Sequence, residues 1–316
     1  MTGKDLDPSV IAEDLVRRMR AGERLALARA ATELERASGL VPALISAMRP
    51  HLGHALIVGV TGPPGAGKST LVNALISHVR HAGRSVGVIA VDPSSPISGG
   101  AILGDRIRMT AALDDDGVFV RSLASRGHLG GLSPAAVRML DAFDAAGRDL
   151  VLVETVGTGQ SEIDIVDVTD VRIVVAAPGL GDDIQAMKAG LLEIADILAV
   201  NKADLEGADR TAHHLHGALA MRANGRDGVP VLKTVAASGE GVDTLWRAIE
   251  TRGKARLAEG IEARRRRRAR YLIARAASDL IAQRIKEGAG ATLDRLADDV
   301  LAGRLMPSDA AKSFLG

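Results

Sequence analysis

The sequence predicts an α/β protein in which helices cover both faces of a mostly parallel β-sheet, with a helical extension at each end of the chain. Short apolar runs rich in Val and Ile alternate with helical stretches through the middle of the 316 residues. Strands that are buried on both faces by helices show this pattern. Hydrophobic residues make up 47% of the chain and aromatic residues only 2%, so we expect a core of Val, Ile, Leu and Ala.

Residues 1–50 form the first predicted region, an N-terminal helical extension. Ser9 is placed to cap a first helix, and Gly39 is a stop signal after a second one. Apolar residues recur at helical spacing in both segments. They are Ile11, Leu15 and Met19 in the first segment and Leu25, Leu27, Ala31 and Leu34 in the second.

Residues 51–250 form the second predicted region, which contains the sheet. The expected strands are the apolar runs 55–60, 86–91, 118–120, 150–153, 171–176, 197–200 and 229–231. Ligands of parallel sheets bind at the carboxyl ends of the strands. The polar residues that follow these runs are therefore the candidate site residues.

Residues 251–316 form the third predicted region, a C-terminal helical arm. Five consecutive arginines occupy 264–268, and the glycine-containing segment 288–290 separates a last helical piece. On a helix these arginines would spread around the axis, and no aromatic residues are interleaved with them for base stacking. We therefore expect a solvated or acid-facing helix surface there and no nucleic-acid site.

Composition excludes several classes of function. Lys+Arg is 40 and Asp+Glu is 39, a formal net charge of +1, without the basic surplus of a nucleic-acid-binding protein. Cys is 0, which excludes disulfides, thiolate metal ligands and a Cys nucleophile. The sequence contains no secretory signal pattern and no apolar stretch long enough for a transmembrane helix. We expect a soluble, cytoplasmic, bacterial protein with no membrane partner.

The strongest motif follows the predicted strand 55–60 and opens a predicted helix. It matches G-x-x-x-x-G-K-[ST], in which glycines let backbone N–H groups surround phosphate oxygens at a helix N-terminus. Lys68 is predicted to reach the β- and γ-phosphates, and the Ser69 hydroxyl to bind Mg²⁺. The predicted nucleotide contacts here are Gly62, Pro63, Pro64, Gly65, Ala66, Gly67, Lys68, Ser69 and Thr70.

A second motif, Asn201-Lys202-Ala203-Asp204, directly follows the predicted strand 197–200. The Asp204 carboxylate can accept hydrogen bonds from the ring N–H and the exocyclic amine of guanine, a donor pair that adenine lacks. Asn201 is predicted to contact the other edge of the base, and the Lys202 stem to cover the ring. The backbone near Ala236 is expected at the guanine oxygen. The predicted nucleotide is GTP or GDP.

Acidic residues after other strands indicate a Mg²⁺ site. Glu154 follows the run 150–153 and is expected to contact the metal, with the Gly157 N–H at the γ-phosphate. Asp92 and Asp105 are further metal candidates, because Mg²⁺ prefers oxygen ligands. Each of these two acids also suits a turn or a helix cap. Gln160 either orients the attacking water or is a loop residue without that role.

Four longer segments resemble the MeaB/ArgK family. They are residues 92–96, 99–109, 154–162 and 178–190. The resemblance is strong over residues 40–250, and the helical ends agree in their layout. It implies a P-loop NTPase fold of the signal-recognition-particle-like class and homodimers formed through the C-terminal helices. It also implies slow GTP hydrolysis that a cobalamin-dependent methylmalonyl-CoA mutase accelerates.

The same resemblance assigns roles to individual residues. It places Lys68, Ser69, Asp92, Asp105 and Glu154 at the phosphates and Mg²⁺, and Asn201, Lys202 and Asp204 at guanine. The segment around Asp182 and Lys188 is expected to be a switch that relays the nucleotide state to the mutase, although Asp182 equally suits a helix cap. The implied function is gating of adenosylcobalamin loading and protection of the mutase. A related acyl-CoA mutase is an alternative partner.

Two alternative functions use the same phosphate loop. A metal-insertion GTPase would need clustered Cys or His, whereas the tightest cluster here is His213, His214 and His216 on a predicted helix, where a solvated surface is expected. A small-molecule kinase would bind ATP and would have no need for the guanine-reading Asp204.

Overall fold

The computed structural model describes residues 7–92, 115–124, 132–155, 161–179, 189–221, 228–286 and 290–315. The chain divides into two compact units, the first up to Arg268 and the second from Ala269 onward. The predicted fold class is confirmed, because the first unit is built around a parallel sheet covered by helices. The region boundaries drawn at residues 50 and 250 stay predictions.

Within the described residues the sheet has seven strands, and every pairing in it is parallel. The spatial order is β3-β2-β4-β1-β5-β6-β7. Strand β1 thus lies at the centre, where the direction of the strand order reverses, and ligands of such sheets bind at this point. The strands are β1 (Leu56–Thr61), β2 (Val86–Asp92), β3 (Val118–Ala124), β4 (Leu150–Thr155), β5 (Val171–Ala176), β6 (Ile197–Val200) and β7 (Val231–Lys233).

Two strands differ from the sequence-based expectation. Strand β3 continues to Ala124, four residues beyond the predicted run 118–120. Strand β7 begins at Val231 and not at Val229. Pro230 has no N–H to donate to a ladder, although its carbonyl oxygen accepts from the Leu198 N–H at 2.9 Å.

Twelve α-helices lie within the described residues. Three precede the sheet, and the rest connect its strands or follow it. They are α1 (Pro8–Arg20), α2 (Arg24–Arg36), α3 (Val41–Met48), α4 (Lys68–His81), α5 (Pro134–Ala145), α6 (Ser161–Val168), α7 (Ala189–Ile194), α8 (Ala208–Ala220), α9 (Val242–Leu257), α10 (Ile261–Lys286), α11 (Ala291–Leu301) and α12 (Pro307–Leu315). None of the described helices is both long enough and apolar enough to span a bilayer.

The described N-terminal residues form helices α1 to α3, and two details of the sequence-based expectation are corrected. The cap of α1 is Asp7, whose carboxylate accepts from the Ser9 N–H at 2.9 Å, because Pro8 occupies the first helical position. Ser9 is therefore not the cap. Leu25 is 82% exposed, whereas Leu27, Ala31 and Leu34 are buried, so Leu25 does not belong to the buried face of α2.

Helix α2 covers the edge strand β3. The Arg24 guanidinium donates to the Val118 carbonyl oxygen at 2.8 Å and lies 5.5 Å from the centre of the Phe119 ring. Arg121 on the same strand pairs with Glu35 of α2 at 2.5 Å. An uncovered edge strand invites pairing with other chains. The N-terminal extension thus protects one edge of the sheet.

The two faces of the sheet are packed by different helices. Leu71 and Leu75 of α4 and Leu245 of α9 lie in one apolar cluster with the alternate residues of the central strands. On the opposite face a Cβ at Gly59 would overlap the Ile165 side chain of α6, so this helix approaches the backbone of β1 closely. The sheet is therefore a middle layer between two helical layers, as parallel sheets require.

The second unit has a small apolar centre of its own. Leu296 of α11 and Phe314 of α12 are buried, and the Arg284 guanidinium lies 5.2 Å from the centre of the Phe314 ring. Other large apolar residues of this unit are exposed, among them Ile273, Leu280 and Leu301. Helix α12 was not distinguished in the sequence as a separate helix.

A hydrogen-bonded pair at the amino end of β3 makes stability depend on pH. Arg80 of α4 donates to both carboxylate oxygens of Asp115 at 2.7 and 2.8 Å. This side-chain hydrogen bond lowers the pKa of the Asp115 carboxyl. A lowered carboxyl pKa stabilises the fold above the unfolded-state pKa, and this contribution disappears as the pH falls through the folded-state pKa.

We expect Asp115→Asn to lower the free energy of unfolding by about 1 kcal/mol at neutral pH. The deficit should shrink as the pH falls below the usual range of an Asp carboxyl, because the native carboxyl then also takes up its proton. Urea denaturation of the unaltered protein and of Asp115→Asn at a series of pH values measures this deficit. Asp116→Asn, at the exposed neighbour, is the control and should have little effect. A deficit that does not change with pH would contradict the assignment.

Candidate functional site

The phosphate loop connects β1 to α4 and has the backbone that its glycines allow. Gly62, Gly65 and Gly67 all have positive φ, at 139°, 80° and 86°. A Cβ at Gly62 would overlap the Val175 carbonyl oxygen of β5, and a Cβ at Gly67 would overlap the Asn201 amide nitrogen. Glycine is therefore required at both positions by conformation and by close approach.

Lys68 is the first residue of α4 and is buried. Its ammonium group donates to the carbonyl oxygens of Gly62 at 2.9 Å and of Pro63 at 3.0 Å. The side chain thus folds back over the loop that is predicted to hold phosphate. Gly67, which has no side chain, is the N-cap of α4, so the positive end of the helix dipole faces the same place.

Ser69 and Glu154 meet beside this loop. The Ser69 hydroxyl donates to the Glu154 carboxylate at 2.6 Å, and Glu154 is only 5% exposed. Glu154 is the fifth residue of β4 and does not follow the strand, as the predicted run 150–153 implied. Parallel pairing places it opposite Val60 of β1, next to the phosphate loop.

This pair of oxygen donors fits Mg²⁺, a hard cation that takes few protein ligands and keeps several waters. Within the part of the chain that the structure describes, no group of three His, Asp or Glu side chains forms a metal cluster. Among the described residues, the Ser69 hydroxyl and the Glu154 carboxylate are the oxygen donors that could hold such an ion. That donor set suits a metal that is held jointly with phosphate oxygens.

Asn201 connects the phosphate loop to the segment after β7. Its side chain is 1% exposed. The amide nitrogen donates to the Ala66 carbonyl oxygen at 3.0 Å, and the amide oxygen accepts from the Ala236 N–H at 3.0 Å and the Thr234 hydroxyl at 3.3 Å. Both the nitrogen and the oxygen of the amide are thus hydrogen-bonded within the protein. The predicted contacts of Asn201 and Ala236 with the base stay predictions.

Lys202 and Asp204 follow Asn201 in the chain, after the end of β6. Lys202 is in the left-handed backbone region with φ of 56°, which is uncommon for a residue with a side chain. Its Cε lies 3.8 Å from where a Cβ at Gly67 would be, so its stem runs beside the phosphate loop. Asp204 is exposed. The structure therefore places Asn201 and Lys202 next to the phosphate loop.

Several predicted site residues lie outside the described residues. These are Asp105, Gly157, Gln160, Asp182 and Lys188. Asp92 ends β2, at the same edge of the sheet as the phosphate loop, and its side chain is not described. The roles assigned to these residues stay predictions.

A cavity of about 480 Å³ adjoins the site between α4 and the segment 236–242. Thr70 and Ala236, both predicted to contact the nucleotide, are in its wall. Asn73, Ser77, His78, His81 and Ser238 also line it. The sequence patterns did not predict this groove or the buried hydroxyl of Thr234. The helical spacing of Thr70, Asn73, Ser77 and His81 was the available signal.

The histidine cluster lies on a solvated surface and arginines of the run 264–268 face acids, as the sequence predicts. His213, His214 and His216 are exposed on α8. Among the arginines, Arg266 is exposed, whereas Arg264 and Arg268 are buried and face acids: Arg264 pairs with Asp170 at 2.5 Å and Arg268 with Asp141 at 2.8 Å. The acid-facing surface was expected, but its burial was not.

Comparison with known proteins identifies relatives over most of the chain. Residues 27–290 match the family described as Methylmalonyl Co-A mutase-associated GTPase MeaB. The GTPase ArgK of Escherichia coli is 42% identical over 253 residues, 77% of this chain and 76% of that protein. The mitochondrial methylmalonic aciduria type A homolog of Mus musculus is 36% identical over 194 residues, 60% of this chain and 47% of that protein.

A solved structure described as LAO/AO transport system kinase has the same architecture. It superposes with a TM-score of 0.75 at 28% identity, covering 100% of this chain and 99% of that one. The likeness extends over both helical ends as well as the sheet-containing part of the chain.

The geometry of Asn201 predicts an effect on stability without nucleotide. Asn201→Ala should lower the free energy of unfolding of the nucleotide-free protein by about 1–3 kcal/mol, because buried polar groups of two loops lose their partners. Asp204→Ala, three residues away, should change it by less than about 0.5 kcal/mol, because Asp204 is exposed. Urea denaturation after removal of nucleotide measures both. Equal losses in the two variants would refute the bridging role.

Proposed function

The chain belongs to the MeaB family of P-loop GTPases, and we propose that it is a GTP-dependent chaperone of a cobalamin-dependent acyl-CoA mutase. Methylmalonyl-CoA mutase is the first candidate. The chaperone gates the loading of adenosylcobalamin and protects the mutase from inactivation. It acts as a homodimer in the bacterial cytoplasm.

One observation carries the nucleotide part of the proposal. Asn201, the first residue of the Asn201–Asp204 motif, is hydrogen-bonded to the phosphate loop and to the segment at Ala236. The phosphate loop and the proposed base-reading motif are thus joined by a direct hydrogen bond between residues 135 apart in sequence, which supports the proposal that they serve one nucleotide. A protein that binds ATP has no need of a carboxylate that accepts hydrogen bonds from guanine, which is the role proposed for Asp204.

In the proposed mechanism Lys68 exchanges its two carbonyl partners for β- and γ-phosphate oxygens. Ser69 and Glu154, together with Asp92 and Asp105, would hold Mg²⁺, which would supply positive charge at the phosphates. Asp204 accepts from the guanine ring N–H and amine. Gln160 orients the attacking water, and the Gly157 N–H binds the γ-phosphate.

The switch follows from loss of the γ-phosphate. GTP holds the loops around Asp105, Gly157 and the 182–188 segment, and hydrolysis releases them. Asp182 and Lys188 relay this change to the mutase. We expect slow basal hydrolysis and acceleration by the partner.

The partner assignment is supported by names of relatives. The matching family is described as mutase-associated, and the mouse relative is named for methylmalonic aciduria. A kinase is the second candidate function, favoured by the description of the superposed structure. Metal insertion is weaker, because no metal cluster lies among the described residues.

Asp204→Asn tests base recognition. An amide at this position can donate to the second carbonyl of xanthine but cannot accept from both guanine donors. We expect the affinity for GTP to fall by about 100-fold or more and that for XTP to rise. Nucleotide affinities from fluorescence titration measure this, with Asp209→Asn on α8 as a control for loss of charge. Unchanged affinities for GTP and XTP would refute the role assigned to Asp204.

The partner is tested by phosphate release from GTP and from ATP, each with and without purified methylmalonyl-CoA mutase. We expect GTP and not ATP to be hydrolysed, and the mutase to accelerate release several-fold. If the mutase has no effect on GTP hydrolysis, the partner assignment is wrong. If ATP is hydrolysed as fast as GTP, the guanine assignment is wrong.

A further inference from the structure

Among the described residues of the first unit, Arg264 is the largest side chain that is fully buried. It is 2% exposed, and its partner Asp170 is 1% exposed. The guanidinium donates to both carboxylate oxygens of Asp170 at 2.8 and 2.5 Å, and also to the carbonyl oxygen of Ala55 at 2.8 Å. A buried ion pair with this many bonds specifies one geometry, whatever it contributes to net stability.

These bonds converge on the short segment before β1. Asp144 of α5 accepts from the N–H groups of Gly53, His54 and Ala55, at 2.6, 2.9 and 2.8 Å. Arg264 holds the carbonyl oxygen of Ala55 and, at 3.4 Å, that of Gly53. Charged side chains therefore bind this backbone from both its donor and its acceptor sides.

Asp170 extends the same network into two strands. It is the residue before β5, its carboxylate accepts from the Ile57 N–H of β1 at 2.9 Å, and its own N–H donates to the Ile57 carbonyl oxygen at 2.7 Å. Strands β1 and β5 then pair from Val58 to Thr61. The Arg264 network thus holds the amino ends of both strands.

The carboxyl ends of the same strands form the floor of the phosphate loop. Gly62 follows β1 directly, and it lies against the Val175 carbonyl oxygen of β5. Strands of this length span about 20 Å. The Arg264 network and the phosphate loop therefore lie at opposite ends of the hydrogen-bonded strands β1 and β5.

Arg264 belongs to the first turn of α10, and Arg268, one turn later, pairs with Asp141 of α5 at 2.8 Å. We infer that Arg264 is a positioning residue that couples the start of the C-terminal helix α10 to the phosphate loop through β1 and β5. Nucleotide binding then tightens residues 261–268, and loosening of these residues weakens nucleotide binding by the same factor. The inference rests on the nucleotide site proposed above.

The test uses full-length protein and labelled GDP. Arg264→Met keeps the length of the side chain and removes its donors, and it should weaken GDP binding by about tenfold. Arg266→Met, on the exposed side of the same helix, is the matched control and should bind GDP as the unaltered protein does. Leu15→Ala, in the core of the N-terminal helices, provides a destabilised protein with the network intact.

Hydrogen exchange supplies the second measurement. GDP should slow amide exchange in residues 261–268 more than in α3 of the same sample, and this extra protection should disappear in Arg264→Met. Arg264→Lys, which keeps one charge, is used if the Met variant does not fold, and it should retain part of the effect. Comparison with α3 removes the general stabilisation that any bound ligand gives.

Three results would overturn the inference. One is extra protection of residues 261–268 that persists in Arg264→Met, and another is the absence of extra protection in the unaltered protein. The third is an equal loss of GDP affinity in Leu15→Ala, which would show that stability alone is responsible. Failure of the unaltered protein to bind GDP at all is a different outcome, because it would refute the nucleotide site itself.

Discussion

The backbone of residues 53–55 is held by charged side chains on both sides, and the architecture around it depends on this constraint. Asp144 binds its N–H groups, and Arg264, paired with Asp170, binds its carbonyl oxygens. The network joins α5, the start of α10, and the amino ends of β1 and β5. Breaking one partner would leave an uncompensated buried charge, which is among the most destabilising changes known.

At the opposite end of β1 a neutral side chain has the same organising role. The Asn201 amide binds the phosphate loop with one end and the segment at Ala236 with the other. Because Asn201 is buried, water cannot replace these bonds without cost. The site is thus assembled by tertiary hydrogen bonds, with Glu154 and Ser69 in contact beside it. GTP would bind to loops that are already connected in the folded protein.

Sequence patterns predicted most of the fold and the centre of the site, and they failed where local signals compete. The seven apolar runs correspond to the seven described strands, and the order of motifs placed Lys68 and Asn201 at strand ends. Ser9 is not the cap of α1, because Asp7 accepts the capping hydrogen bond and Pro8 occupies the first helical position. Leu25 was grouped with Leu27, Ala31 and Leu34, yet at about 3.6 residues per turn it lies on the opposite face of α2 and is exposed.

By itself, the sequence determined the parallel α/β fold and the phosphate loop, and it predicted a motif for reading guanine, because each depends on local periodicity or on residues adjacent in the chain. The tertiary structure alone decided that Arg264 and Arg268 face buried acids, that Glu154 contacts Ser69, and that Asn201 bridges two loops. A run of arginines has no periodic pattern that distinguishes a buried face from a solvated one. Only the packing of α10 against acids that lie about 100 residues earlier in the chain removes two of these guanidinium groups from water.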